Sequence, residues 1–186
     1  MKKVSDIYAI KIIFFITACY VGLWAIRIPT IKDQLQTDYV GVGYIMLSFA
    51  IGSIIAMIFA NALILKTSTK SILTYTLIAE GCLWLPVPFI QELWLFMIFS
   101  FIFGMSYGAF EIACNVYASN LEIREKKSMM SGFHAFWSLG VLFGSLITSF
   151  LLEWDYSFIF NILFYVIIML PLSLYFVLCL ENQVES

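Results

Sequence analysis

From Ile12 to Leu180 the chain is a series of long apolar runs, each followed by a short polar connection. A helix needs about 20 apolar residues to cross the hydrocarbon core. With connections this is roughly 30 residues per span, so a chain of 186 residues holds about six spans. Charged residues make up 12% of the sequence and hydrophobic ones 62%. Soluble domains carry about 25% charged residues, so the composition excludes a soluble globular enzyme, a nucleic-acid binder and a disordered tail. The net charge of -2 points to no charged partner. The expected partner is the lipid bilayer.

The runs predict helices over about 12–28, 39–65, 71–90, 93–119, 129–152 and 156–180, forming one domain over 1–186. The first run continues past any small-residue cleavage pattern and reads as a retained helix, ending at Pro29 in the loop PTIKDQLQTD. Asp38 is placed to cap the second helix. Pro86 and Pro88 end the third or bend its last turn.

Basic residues divide unevenly between the two sides that these spans define. Lys2, Lys3, Lys11, Lys66, Lys70, Arg124, Lys126 and Lys127 fall on one side; Arg27 and Lys32 fall on the other. Positive charge marks the cytoplasmic side, so both termini are expected there, in a bacterial inner membrane. Trp94 and Trp154 lie near the expected outer ends of helices, as interfacial aromatics do.

Cys19, Cys82, Cys114 and Cys179 are far apart within apolar runs, and His134 is the sole histidine. No metal-ligand spacing, cofactor motif or hydrolase arrangement appears. The cysteines read as small buried apolar residues, and no enzyme activity is expected.

Small residues recur at four-residue spacing: Ser48, Gly52, Ala56 and Ala60 in helix two, Gly104 and Gly108 in helix four, Gly140 and Gly144 in helix five. They let backbones approach closely in lipid. Glu111 and Asn115 lie four apart on helix four. A carboxylate inside the bilayer must be neutral, paired or beside water, so Glu111 is a candidate proton-binding group. His134, Ser138, Val141, Ser145 and Thr148 share a face of helix five, with Trp137 beside it. His134 could relay protons, bind solute or bond the neighbouring loop. In helix one, Thr17, Tyr20, Trp24 and Arg27 form a stripe. Arg27 either receives an anionic solute group or snorkels to headgroups. Glu80, in mid-helix three, pairs with His134 or Arg27 or points into a neighbouring helix. Helix six, almost entirely aliphatic and aromatic, reads as an outer helix with Asn161, Tyr165, Ser173 and Tyr175 as polar handles.

Six spans with both ends inside, and polar faces on helices one, two, four and five, resemble the N-terminal half of a major facilitator superfamily transporter. The segment from Asn61 to Lys70 occupies the place of the family's Gly-x-x-x-Asp-Arg-x-Gly-Arg-Arg signature. Lys66 and Lys70 match its basic positions, whereas Asn61, Leu65 and Ser68 replace its first glycine, aspartate and second glycine. The stretch GMSYGAFEIACNVYASNLEIREKKSMMSGFHAFWSLGVLFG is similar to the fucose-permease-like branch, with its Glu-x-x-x-Asn pair and Phe-x-Ser-x-Gly element. By that resemblance Glu111 takes part in proton coupling, and Asn115 matches the asparagine that follows. Trp137 stands where a solute-contacting asparagine is found, and the branch's helix-one aspartate aligns near Ala25.

The family's halves are 3+3 inverted repeats. Gly22 and Leu35 are as far apart as Gly108 and Leu121, at corresponding places in helices one and four. The implied function is secondary, proton-coupled transport of a small solute bound against Trp24, Arg27, Asn115, His134 and Trp137. As a half transporter the chain is expected to need a second six-helix half or to form a homodimer. The alternative is a truncated or split half without transport of its own, or a partner-binding membrane subunit.

Overall fold

The computed structural model describes residues 5–182, so Lys2 and Lys3 of the charge count lie outside the described residues, as does the side chain of Asn61. Six α-helices are present among the described residues: α1 (Asp6–Gln34), α2 (Tyr39–Lys66), α3 (Thr69–Trp84), α4 (Leu93–Glu125), α5 (Met130–Glu153) and α6 (Phe158–Cys179). A short 3₁₀ turn, Val87–Phe89, follows α3. Six spans among them are long and apolar enough to cross a membrane, the third running from Thr69 through the 3₁₀ turn to Phe89. Helices suit this setting because each satisfies its own backbone where lipid offers no hydrogen bonds.

Three helix ends differ from the expected ones. Instead of ending before Pro29, α1 runs through it to Gln34. Proline removes one backbone donor, and the helix continues because its far end has partners. Ile31 and Leu35 are buried, and Gln34 Nε2 donates to the carbonyls of Val87 and Ile90 at 2.9 and 2.6 Å. Helix α3 stops at Trp84, before Pro86, rather than reaching Ile90. Helix α4 extends to Glu125, beyond the expected Ser119, and turns at Lys126, whose φ is 51°.

The helices pair α1 with α5 and α2 with α4, while α3 rests on α4, α6 on α1, and α3 on α6. Glycines set the two main pairings. A Cβ on Gly140 would stand 2.2 Å from the Phe15 carbonyl oxygen, and one on Gly144 2.2 Å from that of Cys19. A Cβ on Gly52 or Gly104 would stand 2.1 Å from the carbonyl oxygen of Phe101 or Phe49. No larger residue fits between these backbones.

Helix α6 lies against α1 and α3 by one face. Asn161, Tyr165, Met169, Ser173 and Val177 are buried there, whereas Ile167, Tyr175 and Leu178 are exposed. Its polar groups bond inward. Tyr165 Oη donates to the Gly144 carbonyl at 2.6 Å and lies 2.9 Å from Thr148 Oγ1. Both ends of the described chain come to the same end of the bundle, where Glu181 N donates to Asp6 Oδ1 at 3.2 Å. Arg124 Nη1 sits 3.1 Å from Asp6 Oδ2 and 3.4 Å from Glu181 Oε2. Cys19 and Cys114 are buried, but Cys82 is exposed, which corrects the expectation that all four cysteines are interior.

Candidate functional site

Because α1 and α4 meet only sparingly, a cavity of about 650 Å³ remains between α1, α2, α3 and α4. Each helix supplies its lining at helical spacing. Tyr20 and Trp24 come from α1, Phe49 from α2, Glu80 and Trp84 from α3, and Phe96, Ser100, Phe103 and Tyr107 from α4. The α4 residues follow one another three or four positions apart, so a single face of that helix forms the wall.

The rings make a connected wall centred on Trp84. Its ring lies 6.0 Å from Tyr20, stacked, and 6.2 and 5.6 Å from Trp24 and Phe103, edge to face. Phe49 continues it at 6.0 Å from Phe103 and 5.5 Å from Tyr107. Offset and edge-to-face pairs at these separations are mutually stabilising, so the wall holds its shape. Ser100 Oγ is turned to the Ile45 carbonyl at 3.1 Å, tying α4 to α2 beside the cavity.

Glu80 is the one ionisable acid in this lining and is 6% exposed. No hydrogen bond or ion pair reaches its carboxylate among the described residues. It pairs with neither candidate partner. Arg27 is engaged elsewhere, and His134 sits on α5 with its ring 5.8 Å from Phe14. Tyr20 and Tyr107 lie within electrostatic range of Glu80.

The sequence-predicted residues divide into three groups. Trp24 lines the cavity. Glu111, half-buried, sits one turn beyond Tyr107 on α4, within electrostatic range of His134. Asn115 Nδ2 donates to the Glu111 carbonyl at 2.9 Å, and the Trp137 indole faces the Tyr107 hydroxyl. Asn115, His134 and Trp137 therefore gather near Glu111 and outside the cavity lining.

Arg27 stands apart from both. It is 3% exposed, donates from Nε to Asn161 Oδ1 at 2.6 Å and from Nη2 to the Tyr156 carbonyl at 3.1 Å, and lies 5.4 Å above the Phe158 ring. The expectation that it receives a solute or reaches headgroups meets a guanidinium already bonded within the protein. The short polar side chain of Asn161 on α6 leaves room for it and accepts its hydrogen bonds.

Sequence reasoning missed Tyr107 and left Glu80 without a setting. Tyr107 was within reach, since it precedes Glu111 by four residues and so shares its face. Glu80 depends on how α3 rests against α4, which no local spacing reveals. Among the described residues no cluster of His, Cys, Asp and Glu could hold a metal ion.

The sequence profile of the Major Facilitator Superfamily matches residues 12–184. An uncharacterized MFS-type transporter of Yersinia pestis is 27% identical over 145 residues, covering 76% of this chain and 37% of that protein. An uncharacterized transporter of Sinorhizobium fredii is 26% identical over 141 residues, covering 71% of this chain and 35% of its own length. The chain thus spans little more than a third of the curated relatives it matches. No solved structure matches it significantly. Six membrane-capable helices joined by a profile match over nearly their full length leave one conclusion: the chain is an integral membrane protein that belongs to the major facilitator superfamily.

Proposed function

We propose that the chain is one six-helix half of a proton-coupled secondary transporter for a small solute, similar to the fucose-permease-like branch. The observation that carries this reading is the cavity of about 650 Å³ open between α1, α2, α3 and α4. A transporter half needs such a space near mid-membrane, shaped by helices that can rock together.

Internal symmetry supports the assignment to a 3+3 inverted repeat. The shift in residue number that takes Phe15 to Phe101 also takes Gly22 to Gly108. The shift that takes Gly52 to Gly140 also takes Ser53 to Val141. A Cβ on Gly22 would stand 2.5 Å from the Val141 carbonyl oxygen, and one on Gly108 2.4 Å from that of Ser53. Likewise Gly140 faces Phe15 as Gly52 faces Phe101. These two contacts of α1 with α5 thus have counterparts between α4 and α2, as two related three-helix units would give.

The shared location of Asp6, Arg124 and Glu181 at one end, with Lys70 bonded to the Leu178 and Leu180 carbonyls there, supports both termini lying on one side, and in this reading the basic residues of that side make it the cytoplasmic face of a bacterial inner membrane. In this reading Glu111 takes and releases the proton. Solute passes between the cavity at Trp24 and the group formed by Asn115, His134 and Trp137. A second six-helix half, or a second copy, closes the open face.

The test is flux in proteoliposomes with an internal pH-sensitive dye, across a solute panel of sugars, carboxylates and amines. Wild type should acidify or alkalinise the lumen in a solute-dependent way, and Glu111→Gln should not. A fully active Glu111→Gln protein removes the proton-coupling role. The replaced signature residues Leu65 and Ser68 favour a second reading, a partner-binding half with no transport of its own. Absence of flux from wild type for every solute would support it.

A further inference from the structure

We propose that the cavity binds a lipophilic organic cation, with the Glu80 carboxylate as counter-charge and the rings of Tyr20, Trp24, Trp84 and Phe103 as walls. The inference deepens the transport reading by giving its solute a chemical class.

Three observations converge on a ligand of this kind. First, Glu80 is almost fully buried yet has no hydrogen bond or ion pair among the described residues, and no basic side chain lines the cavity. A buried carboxylate without a partner is costly, and a cation in the cavity would supply the missing one. Second, buried polar groups nearby are also unpaired: the Trp84 indole N–H and the Ser106 hydroxyl. Ser106 and Glu80 line the same narrow recess, which also includes Thr76 and Tyr107. These groups do not spend their hydrogen bonds on Glu80, so its charge is not already settled by its neighbours.

Third, the remaining lining is aromatic on several sides, with Trp84 at the centre. Aromatic faces attract cations, tryptophan most strongly, and the attraction grows where water is excluded. A sugar would need several convergent hydrogen-bonding side chains. Here the α2 side of the cavity is Met46, Leu47, Phe49 and Ala50, which suits hydrophobic substituents instead. One acid inside an aromatic box of this volume selects charge sign and hydrophobicity together.

The test uses the purified chain in lipid nanodiscs, titrated with tetraphenylphosphonium and, in a separate sample, with tetraphenylborate, an anion of nearly the same shape. Binding is read from tryptophan fluorescence and equilibrium dialysis. Saturable binding of the phosphonium with at least tenfold preference over the borate is expected. Glu80→Gln should abolish that preference, while Glu153→Gln, at the exposed end of α5, should keep it. Equal binding of both ions by wild type, or unchanged preference in a Glu80→Gln protein with wild-type elution and melting, overturns the proposal. Should Glu80→Gln fail to fold, the charge preference of wild type decides alone. Phosphonium binding without solute-driven flux would sink the transport reading and leave the site standing. Flux of a neutral solute without phosphonium binding would do the reverse.

Discussion

At Gly140 the space for a side chain is already filled by backbone, whereas at Gly43 nothing lies within 4 Å of an added Cβ. The two positions therefore respond oppositely to one methyl group. Gly140→Ala forces α1 and α5 apart and is expected to cost about 1–3 kcal/mol, as overpacking does. Gly43→Ala, inside α2, should be neutral or stabilising by up to about 1 kcal/mol from helix propensity alone. Melting of each variant in the same detergent, followed by size-exclusion chromatography, checks both signs. Arg27 gives a third expectation at this scale. Arg27→Met keeps the apolar stem but leaves Asn161 Oδ1 and the Tyr156 carbonyl without their donor, so stability should fall by about 1.5–3 kcal/mol. A variant that melts like wild type would contradict the role of Arg27 as a strut between α1 and α6.

Among the helices, α5 depends on a neighbour for its start. Met129 offers no side-chain cap, and Glu122 on α4 instead accepts from the backbone N–H groups of Met129 and of Met130, the latter at 2.7 Å. Glu122→Ala should therefore raise hydrogen exchange at the first turn of α5 while leaving its centre protected. Uniform exchange along α5 in the variant would show that the cap does not matter. Six apolar runs were enough to read six helices, because lipid allows few alternatives and run length is a local property. Pro29 misled the reading, since what carries α1 past it is the contact of Gln34 with the turn after α3, far away in sequence. The site divides in the same way. That Glu111 and Asn115 stand one turn apart on one helix was legible from their spacing, as was the stripe that carries Trp24. Glu80 and the cavity were not, because they arise from the gap between α1 and α4 and from the lean of α3.

For the molecule as a whole, the pairing of α1 with α5 and α2 with α4 leaves broad apolar faces outward. Ile51, Ile54 and Ile58 on α2 and Leu142, Phe143 and Leu146 on α5 are all exposed. Lipid can cover such surfaces, yet Glu111, His134 and Ser138 need polar company or water. A second six-helix half placed over the open side would supply it, and would also close the α2 rim of the cavity, where Met46 and Leu47 are exposed. Native mass spectrometry of the tagged 186-residue chain, released from its own membranes in lipid nanodiscs, tests this most directly. The account predicts a dimer, or a complex with another six-helix chain. A stable monomer under the same conditions would contradict it.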